Sequence, residues 1–540
     1  MKRTAGEWAL FAPILAFVAL FALLPVAFLF ASSLSSGGGW GGLGAVLANP
    51  LDRQAVSNSL FEGGLSAALA VTLGYPAGVF VGRYLWPGRS VVRSVLLVPF
   101  LLPSLVIVLG VEDLFGSAGL LTGILPGLSF FGRGIPGIVL VNLVFNLPLV
   151  VLLTATGCEV ASRELEETVA TLGGSPARAY RDTWGRPTWV GAAAGGFLTF
   201  LFSALSFAPP LLLCGTRCYT VEARIWSLDT VLLDPDGAGL LALAMVLFFL
   251  APTLAYLLLA RRLRPAGGRG GTGTTRRPGR SLGVVLLATE TVAVLGGVAL
   301  VLGAVLYRTV QPYGHQGAGA AWGTLFAPST AARLGIGIPG ALGNTMAFAV
   351  AAAGIAVLLV VPAAFSALRG ARAGTGLGLL LFAPLLVSPI VLAFALATFW
   401  RPLLGGESAV WALVIVSQAM LALPFALQTL TIPLSGLAPD AREAAQTLGA
   451  SRFLAFLDAD LPRVRQGLLT AGLLSFALGL GEFTATFFLV TPRYTTLPVA
   501  LYGLANTRQL PLSDAAAGLL LLISLGVFLA LSFGGRRVEL

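Results

Sequence analysis

The sequence predicts an all-α membrane protein of about twelve transmembrane helices, built as two parallel six-helix repeats. Three observations carry this. The 540 residues are 57% hydrophobic and only 10% charged, with a mean hydropathy of +0.91, a composition outside the soluble range. The apolar residues fall in stretches long enough to cross a bilayer as helices. A polar segment, EETVATLGGSPARAY at 166–180, returns as REAAQTLGASRFLAF at 442–456 in a matching place of the second half.

Taken in order, the apolar stretches lie near 8–31, 58–82, 94–111, 135–157, 189–213 and 239–260, then near 282–306, 341–368, 376–400, 409–432, 467–490 and 515–534. Helices are expected because alternating barrel-type segments are absent, and a helix satisfies its own backbone in lipid. The first stretch follows Met1-Lys2-Arg3 and is long for a cleaved secretion signal, so it is read as a retained span.

The net charge of +10 reflects topology rather than nucleic-acid binding. With a cytoplasmic amino terminus, all but nine of the 33 basic residues fall on the inside. The nine are Arg53, Arg133, Arg217, Arg224, Arg308, Arg333, Arg401, Arg493 and Arg508. The positive-inside rule therefore favours cytoplasmic termini and places both duplicated segments in the cytoplasm.

The sequence divides into a first half at 1–260, a Gly- and Arg-rich cytoplasmic linker at 261–281, and a second half at 282–540. A constant offset of 276 joins Pro148 to Pro424, Glu167 to Glu443, Gly173 to Gly449, Ser175 to Ser451 and Phe207 to Phe483. Upstream, Asn58 and Pro76 match Asn344 and Pro362 at an offset of 286, so loops absorbed the difference. Six spans per half give both repeats the same orientation and a translocation path expected at their interface.

Each duplicated segment reads as helix, glycine elbow, helix. Asp440 and Glu443 have the spacing of a capping box, Gly449 and Gly173 suit a left-handed helix end, and Ser451 and Ser175 can cap the second helix. Ala177, Tyr180 and Trp184, or Phe453, Phe456 and Leu457, then form an apolar stripe expected to enter a groove on a cytoplasmic partner. The bland reading is a pair of interfacial helices packed under the bundle.

These segments resemble the cytoplasmic signature of type I ABC importer permeases, a Glu-Ala-Ala triplet, a glycine four residues on and a later Leu-Pro. The second copy matches in full through Glu443, Ala444, Ala445, Gly449, Leu461 and Pro462. The first keeps Glu167 and Gly173 but has Thr168 and Val169 for the alanines. The fused layout is similar to the thiamine and ferric-iron permease group. Stretches such as GRGIPGIVLVNLVFNLPLVV and TVEARIW are more like the thiamine members.

The resemblance implies an ATPase-docking role for Glu167, Gly173, Ser175, Tyr180, Glu443, Ala444, Ala445, Gly449, Ser451 and Phe456. It also implies two copies of a separate ABC ATPase as partners, an extracytoplasmic binding protein that delivers substrate, and thiamine or a related cation as that substrate, with ferric iron as the alternative. The chain itself is expected to perform no covalent chemistry and to hold no cofactor or metal. It has no GxxxxGK[ST] phosphate loop, so ATP belongs to the partner.

Intramembrane polar residues point to the path by default. Glu482, its repeat mate Ser206, and the pair Asn142 and Gln418 are the candidates, Glu482 to attract a cation. Hydrogen bonding between neighbouring helices is the stronger alternative for each. An ion-coupled carrier is the rival class, but only Glu290 and Glu482 stand out as ionisable groups within spans. Cys214 and Cys218 lie in a loop expected outside, where their spacing permits a bridge without requiring one.

Overall fold

The prolines and glycines that punctuate the apolar stretches decide where helices run through and where they break. The structure, a computed structural model, describes residues 5–36, 38–96, 98–160, 163–215, 218–262, 277–279, 281–312, 317–367, 387–435 and 440–536. The principal helices are α1 (Phe11–Ser36), α2 (Pro50–Arg83), α3 (Ser104–Phe115), α4 (Gly134–Val160), α5 (Arg163–Thr171), α6 (Gly185–Ala204), α7 (Pro235–Arg262) and α8 (Leu282–Val310). They continue as α9 (Ile338–Ala367), α10 (Pro389–Leu403), α11 (Val410–Ser435), α12 (Asp440–Thr447), α13 (Arg465–Gly481), α14 (Thr484–Leu489) and α15 (Leu510–Arg536). Among the described residues, nine helices are long and apolar enough to cross a membrane.

Three predicted spans are interrupted. The stretch at 94–111 is split into Arg89–Val95, Val98–Leu101 and α3, because Pro99 and Pro103 remove backbone donors and restrict the residues before them. The stretch at 189–213 stops with α6 at Ala204 and resumes as Ala208–Leu213, whose first turn carries Pro209 and Pro210. Its repeat at 467–490 stops with α13 at Gly481 and resumes as α14. The ninth span is described only from residue 387, where the Ser388 hydroxyl accepts from the Val391 N–H at 3.2 Å and starts α10. Most of the linker, 263–276, lies outside the described residues.

The chain forms two compact units that are drawn differently from its linear halves. One comprises Trp40–Ala321 and Arg508–Gly518, built on mutual packing of α2, α4 and α6, with α8 laid against α2 and α3. The other comprises Met1–Gly39, Trp322–Thr507 and Leu519–Leu540, built on α9, α11 and α13, with α1 laid against α9. The leading span of each half thus packs in the unit made mainly by the other half. The three-helix cores correspond element for element under the repeat.

Lipid offers no hydrophobic drive between helices, so close packing at small residues holds such cores. A Cβ placed on Gly82 of α2 would lie 2.7 Å from the Ala155 backbone of α4, while in the second core Ala352, Ala356, Ala419, Ala422 and Ala426 are fully buried. Each core is also tied to the loop after its third helix. Asn58 donates to the Tyr219 carbonyl at 2.9 Å and Ser59 accepts from the Val221 N–H at 3.0 Å. Asn344 donates to the Thr495 carbonyl at 3.0 Å and Thr345 accepts from the Leu497 N–H at 2.8 Å. Residues at offsets of 286 and 276 meet here in both units, which makes the duplication structural. Cys214 and Cys218, in the first of these loops, form a disulfide with Cα atoms 5.4 Å apart.

Replacing Gly82 by Val should destabilise the detergent-solubilised protein by about 1–3 kcal/mol through overpacking, read as a lower melting temperature. Gly64→Val on the same helix, where a Cβ meets nothing within 4 Å, should cost less.

Candidate functional site

The two polar segments fold as the same elbow, and backbone chemistry accounts for it. In the first, the Gly173 N–H bonds to the Ala170 carbonyl at 3.1 Å and the Gly174 N–H to Val169 at 2.9 Å. In the second, the Gly449 N–H bonds to Gln446 at 3.0 Å and the Ala450 N–H to Ala445 at 3.0 Å. This is a Schellman ending for α5 and for α12, and it requires the left-handed φ of +73° at Gly173 and +92° at Gly449. Ser175 then accepts from the Arg178 N–H, and Ser451 from the Leu454 N–H, each at 3.3 Å. Short helices Pro176–Ala179 and Arg452–Ala455 follow, each running into a π-turn, Tyr180–Trp184 or Phe456–Asp460. Thr168 and Val169 in place of the two alanines leave the first elbow's shape unchanged. The side chain of Asp440 lies outside the described residues.

The aromatic residues Tyr180 and Phe456 of the apolar stripe face the other way from the sequence expectation. Phe456 is fully buried in the core formed by α1, α9, α10, α11 and α13. Tyr180 is half-buried, its hydroxyl 2.8 Å from that of Tyr75 on α2 and accepting from the Trp189 indole at 2.6 Å. Both are anchors that hold the elbow to the spans. Apolar residues on a short helix do not declare which side they serve, and here the bundle supplied the groove. Phe453 lies outside the described side chains.

The exposed face is different. Leu172 and Leu448, the residues immediately before the elbow glycines, are 81% and 89% exposed and are related by the same offset of 276. Glu167, Glu443 and Ala444 are exposed on the preceding helices. The constant offset was the signal that could have singled out the two leucines. Along the first elbow, a hydrogen bond from Arg181 at 3.0 Å holds the Asp182 carboxyl below its ordinary range, with Arg178 adding to the effect.

Charge anchors the elbows as well. Glu166, next to Glu167, is buried and ion-paired with buried Arg83 at the end of α2, whose guanidinium lies 4.2 Å over the Trp184 ring. In the second elbow, Arg442 pairs with buried Asp460 at 3.4 Å. Removing one partner of such a buried pair costs about 3–5 kcal/mol, because the remaining charge is left in a poor solvent.

The polar residues predicted for the path fall into two sets. In one unit, Gln418 donates to the Thr486 hydroxyl at 3.4 Å, and that hydroxyl also bonds to Glu482. Glu482 ends α13 and caps α14, accepting from the Ala485 and Thr486 N–H groups at 2.7 and 2.8 Å. Its local role is to satisfy the donors freed by the helix break. In the other unit, Ser206 donates to Glu62 at 3.3 Å, while Asn146 donates to the Asn142 carbonyl at 3.0 Å and reaches Ser203 at 3.4 Å. Glu62 is fully buried, and its second oxygen has no hydrogen-bond partner. It was missed because a span begun at residue 58 puts it in the first turn. The helix starts at Pro50, which places it about 18 Å along.

Residues 74–266, which contain the first elbow, match the family of binding-protein-dependent transport system inner membrane components. This match and the relatives that follow support a two-half type I ABC importer permease. The permease is similar to the thiamine transport system permease protein ThiP of Escherichia coli (strain K12), 26% identical over 501 residues that cover 89% of each chain. It is 28% identical to ThiP of Brucella abortus (strain 2308) over 497 residues, 87% of this chain and 83% of that one. A shorter match, 30% over 151 residues, joins 28% of the permease to 56% of the spermidine/putrescine permease protein PotC of Escherichia coli (strain K12).

Truncating Phe456 to Ala should destabilise the solubilised permease by about 3–5 kcal/mol. Tyr180→Phe, which loses hydrogen bonds but keeps the ring, should cost about 1 kcal/mol by the same thermal unfolding measurement.

Proposed function

We propose that the two elbows are the docking points of two copies of a separate ABC ATPase, and that the permease imports thiamine or a closely related cation. The observation that carries the docking assignment is the pair of Schellman elbows at matched positions, each buried on one side and presenting a highly exposed leucine immediately before its turn glycine. An exposed leucine beside a rigid turn is a small anchor for a groove on a partner. Glu167 and Glu443 flank the anchors and favour basic groups on the ATPase. Gly173 and Gly449 set the turn, Ser175 and Ser451 fix the exit helices, and Tyr180 and Phe456 hold each elbow to its own unit.

The arginine distribution supports a cytoplasmic location for the elbows and for both termini, with a solute-binding protein acting on the opposite side. ATP hydrolysis then belongs to the partner subunit, and this chain passes its closure to the spans. Thiamine is favoured over ferric iron by likeness to thiamine permeases along nearly the whole length of both chains. The carboxylates Glu62 and Glu482, with Ser206, Asn142 and Gln418, are the groups suited to meet a cation inside the bundle. Glu482→Gln removes the charge and keeps one of the two cap acceptors, which should cost about 1 kcal/mol and leave the fold intact. A weaker uptake of labelled thiamine in that variant supports a role toward the cation, and unchanged uptake and affinity remove it.

Leu448→Asp and Leu172→Asp should each reduce co-purification of the ATPase with the permease, and the double variant should abolish it. Gly449→Trp, forced into a strained left-handed φ, should impair transport at least as much as Gly173→Trp. Intact ATPase binding and transport in Gly449→Trp would overturn the docking assignment. Competition between labelled thiamine and ferric iron in cells expressing the complete transporter decides the substrate.

A further inference from the structure

We propose that Arg83 is a positioning residue that clamps both arms of the first elbow to the end of α2, so that elbow and span move as one body. The inference rests on the docking assignment for its functional consequence, but its structural content stands on three observations. Arg83 is the last residue of α2, and its side chain is only 7% exposed. One guanidinium nitrogen bonds to Glu166 on α5, the first arm of the elbow. The guanidinium face lies 4.2 Å from the centre of the Trp184 ring, in the π-turn of the second arm.

A planar cation suits this place. Its edge can pair with a carboxylate while its face stacks on an indole, so one side chain from the span holds both arms at once. The repeat shows what the clamp replaces. The positions of Glu166 and Trp184 correspond to Arg442 and Asp460, which form a direct arm-to-arm ion pair at 3.4 Å. The first elbow has an acid and an aromatic at those positions and closes them around a cation that belongs to α2. Burial makes the arrangement stiff, because separating Arg83 from Glu166 would expose an uncompensated charge to a poorly solvating environment.

Spin labels on Thr171→Cys, on the exposed elbow, and Leu65→Cys, on the exposed face of α2, report whether the two elements move together. They are to be placed in a Cys158→Ala background of the complete transporter. In the wild-type clamp, the distance distribution should be narrow and the same with and without ATP plus vanadate. Arg83→Met and Glu166→Gln should each broaden it and shift it on adding nucleotide, and the double variant should do no more than the worse single one. Arg83→Lys, which keeps the charge but loses the planar face over Trp184, should broaden the distribution less than Arg83→Met and more than the wild type.

A wild-type distance that changes with nucleotide overturns the clamp, as do distributions in Arg83→Met and Glu166→Gln as narrow as in the wild type. Independent, additive broadening in the double variant also overturns it. The docking assignment has its own readout in the same sample, immobilisation of the Thr171→Cys label when the ATPase binds. A label that stays mobile refutes docking and leaves the distance test of the clamp intact.

Discussion

A polar segment that passes movement to apolar spans has to be anchored in them, and that anchor is the half-buried second arm of each elbow. The turn before it is fixed by backbone hydrogen bonds that only a left-handed residue allows, at Gly173 and Gly449. The arm itself is fixed by what it buries. Phe456 enters an apolar core, while Tyr180 shares its hydroxyl with Tyr75 and Trp189. The cores can accept these side chains because glycine and alanine bring their own helices close enough to be rigid.

The two units reach the same architecture with different chemistry. Asn58 and Asn344 make the same helix-to-loop bond, and the elbows end in the same hydrogen-bond pattern. Their buried charges differ. One unit places a carboxylate at the break after its third core helix, Glu482, and the other puts Ser206 there and brings Glu62 from α2 to meet it. Duplication set the backbone, and substitution then distributed the polar groups. A symmetric frame with unequal interior groups fits a permease for an asymmetric small molecule.

Much of the fold was legible because bilayer crossing imposes length and apolarity on the sequence, and because two copies in register reinforce each other. The elbows were legible from glycine and serine at fixed spacing. The broken spans at Pro103, Ser206 and Glu482 were less so, since hydropathy averages across a break that a few residues impose. The outward face of the elbows was misread for a physical reason. A short apolar stripe satisfies a core as well as a partner, and only packing distinguishes Phe456, which is buried, from Leu448, which is not. The exchange of α1 and α8 between units left no mark in composition or period, because a lipid-facing helix needs the same residues wherever it packs.

A cryo-electron microscopy reconstruction of the permease with its ATPase bound tests the central claim most directly. The account predicts one ATPase subunit over each elbow, with Leu172 and Leu448 buried in equivalent grooves and Tyr180 and Phe456 still turned into the bundle. An ATPase dimer seated elsewhere, with both leucines left in solvent, would contradict it.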